Sequence, residues 1–446
     1  MTRVLIPSGA LGLGYDKVAL ERAVTAKPDL IAIDGGSTDS GPSYLGRGVS
    51  KYARESTKAE WQGLIEARIA ADCPLVIGTA GTCGTDSTVD WLYEITLEIL
   101  SDLGATAKIA RLYSEQDPRK IARSSLTPLS AAPDIDTATI ESCTHIVALA
   151  GAEQINAALE TGADIIIAGR TTDTAIIAAL PLANGNHAGG AWHGAKIGEC
   201  GALCATNPQS GVILVDFDDT GFTVTPMADG AFATPHTVSA HMLYENSDPF
   251  ILYEPGGYLD VTGAKYTAVD ERSVRVDGSK WVPSNAYSVK LEGARITGYQ
   301  TILMAILRDA HYVENAQSWC DDILLKHGLK VADRIGLDPA TWHAELRIIG
   351  QDANLGHLET RTSNATELGV LAILTAPDQA TANTLGKLMN PYLLHHPLTQ
   401  AEEQPTFAFP FSPAEIDRGA AYEFVLHHVM ELADPMDAFR LEVTDV

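Results

Sequence analysis

The sequence predicts an α/β protein. An N-terminal doubly wound, mostly parallel sheet leads into a mixed α+β region and then a small C-terminal α+β unit. Three observations point there. Short runs of consecutive apolar residues recur over the first 205 positions, which is how strands covered on both faces read. Amphipathic stretches of helical period separate those runs. After about residue 205 the runs give way to alternating apolar and polar residues, as in antiparallel strands with one wet face.

In chain order, "RVLIPS" is a strand, "DKVALERAVTAK" a helix and "DLIAID" a second strand. "CPLVIGTAG" is a strand ahead of the long amphipathic helix "DWLYEITLEILSDLG". "KIARLYSE", "THIVALAG" and "ADIIIAGR" continue the strand series, with "AEQINAALETG" a helix between the last two. "GVILVDFDDTGFTV", "DERSVRVDGSKWV" and "NAYSVKLEGARITGY" alternate, and "ENAQSWCDDILLKHG" returns to helical period. Strands at "HAELRIIG" and "LGVLAILTA", a helix at "DQATANTLGKLMNPYLL" and a strand at "EFVLHHVM" complete the chain. The expected division is 1–205, 206–330 and 331–446.

The bulk numbers narrow the class. With 446 residues, 46% hydrophobic and 20% charged, the chain has the balance of a globular protein with more than one core. No run approaches the roughly 18 apolar residues of a membrane span. The N-terminus reads as a first strand and not as a signal peptide, so a cytoplasmic location is expected. A net charge of −26 opposes phosphate over most of the surface, which argues against nucleic-acid or membrane partners. The six cysteines include no CxxC pair, so neither a structural zinc nor a disulfide framework is expected.

Ligands of open α/β sheets sit beyond the carboxyl ends of the strands. Three strand ends share one texture: "IAIDGGSTDSG", "VIGTAGTCGTDST" and "IIAGRTTDTA" run from small residues through hydroxyls to Asp39, Asp86 and Asp173. Helix capping is the ordinary structural role of such residues. Three ends on one sheet edge raise the case for a binding site, with Asp34, Ser37, Thr38, Asp39, Arg170 and Asp173 as candidates. Two nucleotide motifs fit poorly. "IDGGST" resembles an actin-like phosphate hairpin but lacks the hairpin and the second loop. "GALGLG" is irregular for a dinucleotide fingerprint. Arg47, Lys51, Arg54 and Lys58 are spaced 4, 3, 4 and would form a cationic stripe on a helix, the complement of an anionic substrate.

Further on, Ser288, Lys290 and Glu292 share one face of a strand. A lysine and a glutamate side by side stabilise each other's charge and can act as acid and base; the ordinary alternative is a surface ion pair. Arg295 extends the run. A Pro-started helix from Thr234 carries His241, with Glu245 four residues on. His236 and His241 are five apart and do not form a metal pair, so no metal site is expected. "WHGAKIGECGALCATN" adds His193, Lys196, Glu199 and Cys200. The last reads more readily as a buried thiol than as a nucleophile.

Several of these segments together resemble the acyclic terpene utilisation (AtuA) family: "DGGSTDSGPSYLG", "IGTAG", "ADIIIAGRTTD", "KIGECGA", "SAHMLYENSDP", "EPGGYLDVTGAKY" and "VKLEGARITGYQT". The resemblance implies a catabolic setting for branched acyclic terpenoids, through acyl-CoA intermediates, and supplies no reaction. Asp34, Ser37, Asp39, Arg170, Asp173, Glu199, His241, Asp248, Lys290, Glu292 and Arg295 fall in the matching motifs. Cys83 and Asp86 depart from the pattern.

The function expected is proton-transfer catalysis on a small carboxylic acid or acyl-CoA: hydration, dehydration or isomerisation. Lys290, Glu292, His241 and Glu199 are the catalytic candidates. Asp34, Ser37, Thr38, Asp39, Arg170, Asp173, Arg295 and Arg47 would bind substrate. No cofactor is required beyond a CoA thioester as part of the substrate. A homo-oligomer, or association with a small pathway subunit, is expected. The alternatives are a nucleotide-dependent enzyme, which would bind ATP or NAD tightly, and a metabolite-binding subunit without turnover.

Overall fold

A computed structural model describes residues 1–129 and 134–446. The strands are β1 (Thr2–Ile6), β2 (Leu30–Asp34), β3 (Leu75–Gly78), β4 (Lys108–Tyr113), β5 (Leu126–Pro128), β6 (Cys143–Ala148), β7 (Ile165–Ala168), β8 (Ile213–Phe217), β9 (Gly221–Pro226), β10 (Ile251–Glu254), β11 (Gly257–Asp260), β12 (Lys265–Ala268), β13 (Val274–Asp277), β14 (Lys280–Pro283), β15 (Tyr287–Leu307), β16 (His343–Ile349), β17 (Leu368–Ala376), β18 (Ile416–Leu432) and β19 (Arg440–Asp445). Contacts divide the chain into two compact units, one of residues 1–295 with 423–446 and one of 296–422. The boundary expected near 205 falls inside the first unit. The one expected at 330 falls inside the helix Ala316–Arg334.

The first unit is built on a ten-stranded sheet in the order β12-β13-β9-β8-β1-β2-β3-β7-β4-β19. β1, β2, β3, β7 and β4 are parallel neighbours. β8, β9, β13 and β12 extend one side antiparallel, and β19 pairs antiparallel with β4 on the other. The α/β class holds, with a sheet that is parallel in its centre and antiparallel at both flanks.

Strand alternation sorts the apolar residues onto two faces. Leu30, Ala32, Val76 and Ile166 enter one core, against the helices Ala152–Glu160, Ala175–Ala183 and Ala188–Gly198. Leu5, Ile31, Ile33, Ile165 and Ile167 enter the other, against Arg54–Ala71 and Asp86–Leu103. This is why the central strands read as unbroken apolar runs. Each fully buried Leu or Ile contributes about 1.5–3 kcal/mol.

Three local expectations need correction. β6 does not join the parallel series: it pairs antiparallel with β15, Glu292 opposite Val147. Thr144 is exposed and His145 half-buried, so β6 lacks the two apolar faces of a central strand. The segment bearing Arg47, Lys51, Arg54 and Lys58 is not one helix. Ser43–Arg47 ends at Gly48, left-handed at φ 60°, and the next helix starts at Arg54. Finally, the helix Pro235–His241 stops at His241, and Glu245 lies beyond it at φ 56°.

The second unit is antiparallel. β17 pairs with β16 and with β15 from Tyr299 onward. The helices Ala316–Arg334 and Gln379–His395 contribute Trp319, Ile323, Leu385 and Met389 to its core. Among the described residues, no helix of the protein is long and apolar enough to cross a membrane.

Candidate functional site

β2, β3 and β7 are adjacent and parallel, so the three strand ends of similar texture begin side by side. Their glycines answer to packing. The Gly35 N–H donates to Gly78 O at 2.8 Å, and a Cβ at Gly35 would lie 2.2 Å from Thr79 O. Gly36 holds φ 113° while its N–H donates to Asp34 Oδ2 at 2.9 Å. Ser37 Oγ accepts from the Asp39 N–H at 3.0 Å, a cap of the short Thr38–Ser40 turn. After β3, Thr79 and Thr82 hold φ 48° and 80°, a strained region for β-branched residues that the surroundings must enforce.

The β7 end supplies Arg170, which is buried. Its Nε lies 3.1 Å from Glu292 Oε2 and its Nη2 3.4 Å from Oε1; Nη1 donates to Thr79 Oγ1 at 3.2 Å. Lys290 Nζ reaches Glu292 Oε1 at 2.7 Å, and Thr38 Oγ1 donates to Oε2 at 3.2 Å. The shared face of Lys290 and Glu292 therefore points at a strand end and not at bulk water. Burial opposes the charge of Glu292, but Arg170 and Lys290 outweigh it and hold the carboxyl down at about 2. Such a carboxylate is a fixed anion around neutral pH, which weighs against the proton exchange expected of this pair.

Beside this clamp lies a cavity of about 720 Å³. Its wall includes Ser8 and Gly9 after β1, Asp34 at the end of β2, Ser37 and Asp39 after it, Asp173 after β7, and Lys51, Glu199, Cys200, Tyr244 and Glu245. Lys51 is the one basic residue on this wall among the described residues. Asp34 is 4% exposed, and its Oδ1 has no hydrogen-bond partner. Burial, then the charge of Asp173, push its carboxyl well up. Burial also raises Asp173, against the pull of Arg170, whose Nη1 is 3.9 Å away.

Glu199 follows the buried helix Ala188–Gly198 and is 8% exposed. Its carboxyl contacts Lys196 Nζ. Burial pushes it up to about 8, with Lys196 only partly offsetting and Asp173 adding to the rise. Glu254, at the end of β10, is pushed up by burial to about 7; it accepts from Thr174 Oγ1, and its Oε2 has no partner. His241 is held down at about 4 by burial and by the charge of Lys196. Its ring stacks on Tyr244 at 5.6 Å, and Nε2 has no partner. Burial thus raises the carboxyls of Glu199 and Glu254 and lowers the imidazole of His241.

Among the other candidate side chains, Cys200 lines the cavity and the following lie apart from it. Arg47 is exposed. Arg295 is paired to Glu423 at 2.6 Å. Asp86 starts a helix and meets Arg440 at 3.2 Å, at a separate surface cleft. Arg54 and Lys58 pair with Glu98 and Asp102. His193 is buried with Ser279 Oγ and Tyr266 OH on its two ring nitrogens. The Cys200 thiol is pushed up by burial and by Glu199, away from the thiolate. In the "GALGLG" loop the Gly12 and Gly14 N–H groups donate to Glu60 Oε2 at 2.8 and 3.2 Å, so a carboxylate occupies the place a phosphate would need. Sequence reasoning missed Glu254 and the strained threonines. A single acid before "PGGY" carries no pattern, and backbone strain leaves no trace in composition.

Fold and site together define an α/β protein with a carboxyl-lined cavity at the carboxyl ends of parallel strands. Residues 66–413 match the model of the acyclic terpene utilisation family protein AtuA, and the chain belongs to that family. Membership implies a role in terpene catabolism and brings no reaction with it. The match begins after the β2 loop, so Asp34 to Arg47 lie outside it. Neither a curated protein nor a solved structure matches the chain.

Proposed function

We propose that the protein is a catabolic enzyme that transfers protons on a small carboxylic acid or the acyl part of a CoA thioester, by hydration, dehydration or isomerisation. The observation that carries this reading is Glu199: a buried carboxyl on the cavity wall, in contact with Lys196 and pushed up by burial to about 8. A general acid works best with a pKa near the operating pH. Glu199 would deliver its proton to a departing hydroxyl or a carbonyl oxygen. Lys196 then stabilises the carboxylate left behind. His241, neutral and with a free Nε2, would receive or relay a proton. Asp34, Asp39, Asp173 and Ser37 would take the substrate's polar groups, with Arg170 kept in place by Glu292, Lys290 and Thr38.

The test is a pH–rate profile of wild type and Glu199→Gln on hydroxy-acid and enoyl-CoA substrates. A loss of kcat of about 10²–10⁴-fold in the variant supports the assignment. Turnover within a few-fold of wild type removes it. The filled glycine loop after β1 disfavours the nucleotide-dependent alternative, for which calorimetry with ATP and NAD is the check.

A further inference from the structure

Two features of the cavity do not fit an acid substrate by themselves. Its wall carries Asp34, Asp39, Asp173, Glu199 and Glu245 against Lys51. An incoming carboxylate would meet repulsion there. Asp34 is fixed through Oδ2 by the Gly36 N–H, while Oδ1, in a residue 4% exposed, meets no donor. A buried carboxylate oxygen without a partner is costly and calls for an external one.

We propose that Asp34 and Asp173 bind a hydrated divalent cation of the magnesium type, which in turn receives the substrate's carboxylate or carbonyl oxygen. The donor set selects the class. Both ligands are hard oxygens, and among the described residues no three His, Cys, Asp or Glu side chains converge as metal ligands. A zinc-like ion that wants three or four protein ligands is therefore not served. Magnesium keeps several waters and is held by one or two carboxylates plus the substrate. The ion turns an acidic wall into an anion receptor. It also competes with the protons that the buried carboxyls otherwise hold, so its affinity rises with pH. This inference rests on the reading of the cavity as the substrate site but not on the role of Glu199.

Titration with Mn²⁺ as the probe, followed by water-proton relaxation, tests it. Wild type should bind one ion with enhanced relaxation from its retained waters, and Mg²⁺ should displace it. Asp34→Asn and Asp173→Asn should each weaken binding by about tenfold or more, with Asp86→Asn unchanged. Glu199→Gln should still bind the ion. A Glu199→Gln variant that retains turnover then overturns the catalytic reading alone. Absence of Mn²⁺ binding at millimolar ion, or wild-type affinity in both aspartate variants, overturns the cation. Circular dichroism identifies a variant that has not folded; the other aspartate variant then carries the test.

Discussion

Arg170 and Glu292 form a two-point ion pair at 3.1 and 3.4 Å, with side chains 9% and 3% exposed. They come from the end of β7 and from β15, far apart in sequence. The pair closes on both sides: Lys290 and Thr38 complete the carboxylate, and Thr79 and the Thr171 carbonyl complete the guanidinium. Removing one member leaves the other as an uncompensated buried charge, a loss of about 3–5 kcal/mol. Glu292→Gln and Arg170→Gln should therefore lower the urea midpoint strongly, and Lys290→Ala much less, because its side chain is 35% exposed.

The same pair sets an acid limit. Glu292 falls from its ordinary 4.5 to about 2 on folding. Its stabilisation is complete above pH 4.5 and is lost as pH falls through 2. Glu292→Gln should flatten that part of the stability–pH curve, measured by urea unfolding across the window.

Activity should respond at the other end. Glu199 must carry a proton to act as an acid, and its pKa is about 8. The wild-type rate should hold through neutrality and fall as pH rises through 8. A profile that keeps rising beyond that point would assign the group to a base role instead.

Glu254 acts on stability in the opposite sense to Glu292. Folding raises it from 4.5 to about 7, so the folded protein takes up a proton between those values. Stability falls as pH rises through that window and is level above it. Glu254→Gln keeps a partner for Thr174 without the charge. The variant should gain on wild type from acid to neutral pH, a gain absent if the carboxylate is already balanced by a bound cation. Unfolding with and without Mg²⁺ reads both cases.

Gly35→Ala tests the strand-end packing. Its Cβ would enter the Thr79 carbonyl at 2.2 Å, and that neighbour is backbone at an already strained φ of 48°. The expected loss is about 1–3 kcal/mol or more, with disturbed ligand binding, read by thermal unfolding and by the Mn²⁺ titration.

The legible part of this protein is its period. Unbroken apolar runs such as Leu30–Ile33 and Ile165–Ala168 mark central strands, and both are parallel members of the main sheet. Pairing was less legible. β6 is as apolar as β7 over Ile146–Ala148 but pairs with β15, a choice made by tertiary context. The return of Arg440–Asp445 to β4 spans most of the chain and has no local signal. Within the site, strand alternation brought Lys290 and Glu292 onto one face. Alternation says nothing of what that face meets, and Arg170 joins Lys290 in depressing the carboxyl. Glu199 stood out only as one of several polar residues, with His193, Lys196 and Cys200, around a small-residue helix end. Its character comes from burial and from Asp173 and Lys196, which the fold assembles.

Because β19 lies antiparallel to β4, Ala110 opposite Val443, a nascent chain emerging from the ribosome presents β4 with an open edge until residues 440–445 have been made. All of 296–422, a compact unit of its own, is synthesised in that interval. Open strand edges are where chains pair wrongly with one another. Slow translation or truncation before residue 440 should therefore send this protein to chaperones or into aggregates, even though every residue of the cavity would already be in place along the chain.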